Sequence, residues 1–98
     1  MALIYIMIAT FKCRDTQALF RRQRVARFAN IERVARRKLE QLEWSATLDD
    51  LRVPPNNRLE LLKGNRAGQY SIRINGQWRI CFRFKDGQAF DVEIVDYH

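Results

Sequence analysis

Histidine, cysteine, proline and glycine are all scarce in this 98-residue chain, which has one His, two Cys, two Pro and four Gly. Cys13 and Cys81 lie far apart, and with a lone histidine they give neither a disulfide framework nor a Cys/His cluster with zinc spacing. A metal-stapled or disulfide-rich secreted scaffold is thereby excluded, and a reducing cytoplasm is the expected location. Little glycine and proline, no internal repeat and no low-complexity stretch exclude fibrous and linker-like classes. Long hydrophobic runs are missing too. The apolar start, Met1 to Ala9, is too short to cross a bilayer and lacks the basic leader of a signal peptide, so no membrane segment is expected.

What remains is a chain with 47% hydrophobic residues, enough for one modest core and a single domain over 1–98. The net charge is +7, and fourteen of the eighteen bases are Arg. Arginine presents a planar fork of donors suited to phosphate and stacks on bases, so the bias favours a nucleic-acid partner. The charge is also segregated. Residues 12–38 hold ten bases and two acids, and residues 52–85 hold eight bases and one acid. Residues 39–51 and 86–98 each hold four acids and no Lys or Arg, giving basic regions with acidic margins.

The β-branched and aromatic residues from Ile4 to Phe11 predict a strand. Asp15 to Phe20 predicts a short helix capped by Asp15. Asn30 is the expected N-cap of an amphipathic helix that places Ile31, Val34, Ala35, Leu39 and Leu42 on one face. Val53 to Asn57 breaks regular structure, Leu59 to Leu62 reads as a short strand, and Gly64 to Gly68 as a glycine-bounded turn. Three alternating strands follow, with Tyr70, Ile72 and Ile74, then Trp78, Ile80, Phe82 and Phe84, then Phe90, Val92 and Ile94 on the apolar face.

Parity sets the expected register. A two-residue loop at Asn75-Gly76 would put apolar and polar side chains on one face, whereas a three-residue loop through Gln77 pairs Ile74 with Trp78 and Ile72 with Ile80. The same reasoning gives a loop Asp86-Gly87-Gln88, with Phe84 opposite Phe90 and Arg83 opposite Asp91. On the polar face Arg73 then stands directly opposite Arg79, beside Val95 and near Glu93 and Tyr97. Two like charges in cross-strand contact invite an anion, and phosphate is the natural guest. The competing arrangement splays Arg73 to solvent and pairs Arg79 with Glu93. The last residues, Asp96, Tyr97 and His98, bring a carboxylate, a stacking phenol and a group that titrates near neutrality, all useful for RNA cleavage.

From Arg58 onward, and most specifically in Leu62-Lys63-Gly64, Trp78-Arg79-Ile80 and Asp96-Tyr97-His98, the chain resembles the HigB toxins of the RelE superfamily. The resemblance runs from about Met7 to His98, so that residues 1–6 read as an extension or an early start. It implies an α+β, RelE-like fold, with helices packed on one side of a small, mostly antiparallel sheet. It implies ribosome-dependent endoribonuclease activity on mRNA in the A site of the 70S ribosome, with no metal and no cofactor, and neutralisation by a HigA-type helix-turn-helix antitoxin. By position, Lys63, Arg79, Asp96, Tyr97 and His98 match the family's catalytic residues, and Arg73, Arg66 and Arg58 are candidate RNA phosphate contacts. Some members carry histidine three residues before the lysine, where this chain has Glu60, so the acid/base assignment stays open between Glu60, Asp96 and His98. Two other readings stand beside this one: a non-enzymatic or gyrase-targeting relative, and a metal nuclease using Asp91 and Glu93.

Overall fold

The computed structural model describes residues 7–97. The first part of the strand predicted from Ile4, the extension read at residues 1–6, and His98 lie outside the described residues. In chain order the elements are β1 (Met7–Ile8), α1 (Arg14–Phe20), α2 (Glu32–Trp44), β2 (Glu60–Leu61), β3 (Tyr70–Arg73), β4 (Trp78–Lys85) and β5 (Gln88–Asp96), with short 3-10 turns between them. The strands form one sheet in the order β1-β5-β4-β3-β2, with β1 parallel to β5 and every other pair antiparallel.

On α2, Ile31, Ala35, Leu39 and Leu42 recur at three- and four-residue spacing and are buried, as the periodicity predicts. The helix starts after Ile31 rather than at an Asn30 cap, and no side chain caps it. Ile31 is itself in the core, so its burial sets where the chain turns in. On α1 the cap position is Cys13, and the expected cap, Asp15, sits in the first turn and pairs with Arg27 at 2.9 Å. Leu19 of α1 and the buried face of α2 meet Phe28, Leu51 and the sheet residues Ile72, Ile80, Phe82, Val92 and Ile94 in one core. Both helices therefore cover the same face of the sheet.

Between β3 and β4 the register is the predicted one, with Ile72 opposite Ile80, Arg73 opposite Arg79 and the Ile74 amide bonded to the Trp78 carbonyl at 2.9 Å. The second hairpin departs from expectation. Its loop has two residues, not three: Lys85 pairs with Gln88 and Phe84 with Ala89, and Asp86 and Gly87 both take positive φ. Such a turn matches the twist of the flanking strands and suits an Asp-Gly pair. A β-bulge at Asp91 (φ 53°), facing the stretch from Cys81 to Arg83, restores the alternation. As a result Ala89, not Phe90, enters the core, and Phe90 shares the polar face opposite Arg83. The bulge leaves the Asp91 amide outside the ladder, and it donates to Thr10 Oγ1 at 2.9 Å. Beyond the bulge the pairing is regular, so Arg79 stands opposite Val95 as expected.

Candidate active site

Arg79, the second residue of β4, projects from the sheet face that carries no helix. Its side chain is only 11% exposed. Nε donates to Ser71 Oγ and Nη2 to the Arg58 carbonyl, both at 2.8 Å. Arg58 ends the Pro55–Asn57 turn in the left-handed conformation (φ 46°), which brings its carbonyl to the guanidinium. Both partners are neutral oxygens. They fix the fork without cancelling its charge, and Nη1 keeps no hydrogen-bond partner among the described residues. Glu60 Oε1 lies 3.8 Å from Nη2, a long ion pair whose carboxylate is 54% exposed and which offsets the charge only in part. The expected alternative, an Arg79–Glu93 pair, does not form, since Glu93 is taken by Arg66 and Lys12.

The end of the chain reaches the same place. Trp78 pairs with Asp96, Tyr97 N donates to the Gln77 carbonyl at 2.6 Å, and Gln77 Nε2 donates to Asp96 Oδ2 at 3.1 Å. The Tyr97 ring, partly exposed, lies 5.7 Å from the Arg79 guanidinium carbon. An arginine fork, an aromatic ring and the Glu60 carboxylate thus meet at one edge of an open β-surface, a set that can hold a phosphate and stack the attached base, whereas Asp96, opposite Trp78, alternates to the other face.

The remaining candidates divide. Arg73 faces Arg79 across the register, and its Nη2 lies near Gly76, where an added Cβ would stand 3.7 Å away. Lys63 is exposed just before the Gly64–Arg66 turn, and no hydrogen bond or ion pair joins it to Arg79. Arg66 Nη1 is bonded to Glu93 Oε1 at 3.1 Å and Gln69 Oε1 at 3.2 Å, so its charge is matched locally. Arg58 meets Arg79 through its carbonyl while its own side chain is exposed. Arg83 lies 3.7 Å from Asp91, an ion pair that survives the shifted register. Beneath the Arg66–Glu93 pair Cys81 is fully buried, and burial pushes its thiol above the ordinary range, which suits an inert packing role. Among the described residues no cluster of three His, Cys, Asp or Glu side chains could hold a metal ion. Sequence reasoning missed three supports of the site: Ser71, Gln77 and the Arg58 carbonyl. Only Ser71 had a readable signal, its place on the polar face diagonal to Arg79.

A small sheet with both helices on one face and this cationic edge on the other defines a RelE-like architecture. The structure superposes with a TM-score of 0.55 on a chain of the heterotetrameric YoeB–YefM toxin–antitoxin complex from Staphylococcus aureus, at 19% identity, covering 93% of this chain and 97% of that one. A family model described as "RelE-like toxin of type II toxin-antitoxin system HigB" matches residues 15–98, and the chain belongs to that family. It is 46% identical over 63 residues to Toxin HigB-1 of Vibrio cholerae, a stretch covering 64% of this chain and 66% of that protein. It is 44% identical over 41 residues to Endoribonuclease HigB of Proteus vulgaris, covering 42% of this chain and 45% of that protein. The chain thus spans less than two thirds of the length of either relative.

Proposed function

We propose that this protein is a type II toxin that cleaves mRNA on the ribosome, without a metal, and is neutralised by a HigA-type helix-turn-helix antitoxin. The observation that carries the reading is Arg79, hydrogen-bonded only to neutral oxygens, offset only by the long contact with the exposed Glu60, and set against Tyr97. In the reaction the RNA 2′-oxygen attacks the adjacent phosphorus, the bond to the 5′-oxygen breaks, and a 2′,3′-cyclic phosphate and a 5′-hydroxyl form. The 2′-hydroxyl gives its proton to a base, and the departing 5′-oxygen receives one from an acid.

Arg79, through Nη1, stabilises the charge that builds on the phosphorane, with Lys63 and Arg73 adding to the field. Tyr97 holds the nucleotide. His98 serves in one proton transfer, and Glu60 or Asp96 serves in the other or orients the imidazole. One acid or base contributes about 10²–10⁴-fold, and the ribosome supplies the further positioning of the message. Arg58 and Arg66 belong to the outer phosphate field, Arg66 more weakly because Glu93 matches it. A ribosomal target places the action in the cytoplasm. No helix among the described residues is long and apolar enough to cross a membrane.

The test is mapping of mRNA ends after expression, with and without translating ribosomes, and in a translating extract with 1,10-phenanthroline, which strips transition metals and spares the ribosome's magnesium. Wild type is expected to give ribosome-dependent cuts that survive the chelator, and His98→Ala and Arg79→Ala to give none. Unchanged cuts in both variants reject this site. Gyrase inhibition without cuts would return the chain to the non-enzymatic reading.

A further inference from the structure

β2 pairs only with Tyr70 and Ser71, so the Arg73 end of β3 has no neighbouring strand on that side. There Arg73 lines a groove of about 740 Å³ whose other wall is α2, contributing Arg37 and Lys38, with Asn56 at its rim. Three cations line this groove and no carboxylate does. Among the described residues none of the three forms an ion pair.

The acids of α2 are engaged elsewhere. Glu32 holds Arg36 at 2.9 Å, Glu40 holds Arg22 at 3.1 Å, and Glu43 accepts the Ile8 amide. Lys38 is also more than a solvated surface charge. Its ammonium donates to Oδ1 of Asn57, which is fully buried and fixed in turn by Nδ2 bonds to the Leu51 carbonyl at 3.0 Å and Gln41 Oε1 at 3.1 Å. Partial burial, then the neighbouring Arg37 charge, lowers the Lys38 pKa from its ordinary value. An anion in the groove would relieve that repulsion. Lys38, like Arg79, donates its hydrogen bonds to neutral groups.

We propose that this groove is a second phosphate site, which holds the RNA strand away from the bond that Arg79 addresses. The inference rests on the reading of Arg79 as the phosphate group of the cleavage site. It adds the path of the strand: from Arg79 to Arg73, its direct neighbour across the register, and on to Arg37 and Lys38. A single strand carries one phosphate per nucleotide, so Arg73, Arg37 and Lys38, cations without an ion pair among the described residues that lead out of the cleavage site, match it. An acidic protein segment would need no such continuity.

The test measures binding of a fluorescent 2′-O-methyl RNA, which cannot be cut, across a salt series. For single strands the log–log slope falls by about 0.7 for each phosphate that is no longer neutralised. Arg37→Gln should lower the slope by about that amount, and Arg37→Gln with Lys38→Gln by about twice as much. Arg37→Lys, which keeps the charge, should restore it. Arg37 is exposed, and a glutamine at 38 can still bond Asn57, so the fold is preserved. A wild-type slope in the double variant overturns the groove, and so does a double variant that loses only affinity for polyglutamate. Cleavage assayed beside it with Arg79→Gln separates the two readings. Loss there with an unchanged groove slope leaves the nuclease standing and removes the second site, whereas full cleavage removes the nuclease site itself.

Discussion

The two ends of the sheet position their cations with different partners. At the end with the bulge, Arg83 forms an ion pair with Asp91, and Arg66 and Lys12 converge on Glu93. At the end that carries Asp96 and Tyr97, Arg79 is held by a hydroxyl and a carbonyl with only the exposed Glu60 carboxylate 3.8 Å away, and Lys38 is held by a buried amide. A carboxylate neutralises a cation as it positions it. A neutral oxygen positions it and leaves the charge for a guest. The contrast separates charges spent on the fold from charges available for function, which net charge alone cannot do.

The largest expected effect tests the held charge directly. Arg79→Ala should slow single-turnover cleavage of ribosome-bound mRNA by about 10²–10³-fold, the usual cost of removing a preorganised donor. Arg79→Lys should not restore it, because one ammonium cannot satisfy Ser71 and Arg58 while presenting a planar fork. Recovery by lysine would break the comparison. Next is Thr16→Val. Thr16 Oγ1 accepts the buried Ile94 amide at 2.9 Å and so pins α1 to β5 next to Val95. Leaving that amide unsatisfied should cost about 1–3 kcal/mol in urea unfolding.

Ser71→Ala frees Nε of Arg79 while keeping its charge. Cleavage should fall about fivefold, equivalent to about 1 kcal/mol, with little change in RNA affinity. A loss as deep as that of Arg79→Ala would mean that Ser71 acts on substrate rather than through the arginine. The smallest effect belongs to the other end. Arg83→Gln removes an exposed ion pair, so stability should move by less than about 0.5 kcal/mol and cleavage should not change.

Much of this arrangement was legible in the sequence where alternation is strict. Tyr70 to Arg73 and Trp78 to Phe82 admit one register that keeps apolar side chains together, and that register alone sets Arg73 against Arg79. The buried stripe of α2 was legible for the same reason. The second hairpin was not, because two devices satisfy the same parity: a three-residue loop, or a two-residue turn with a bulge. Asp86-Gly87 has the turn chemistry of the latter, and that local preference decided it. The Arg58 carbonyl and the burial of Asn57 were beyond reach, since both depend on how a proline-containing loop folds back on the sheet.

The strand that carries Val95 and Asp96 sits between the first strand and the fourth, although it follows all the others in sequence. The hydrogen bond of Asp91 with Thr10 joins residues 81 positions apart in the chain. Long-range closures of that kind come late in folding. A nascent chain of this protein therefore carries an unfinished sheet until β5 is made, and only then does Arg79 gain Tyr97 as its neighbour.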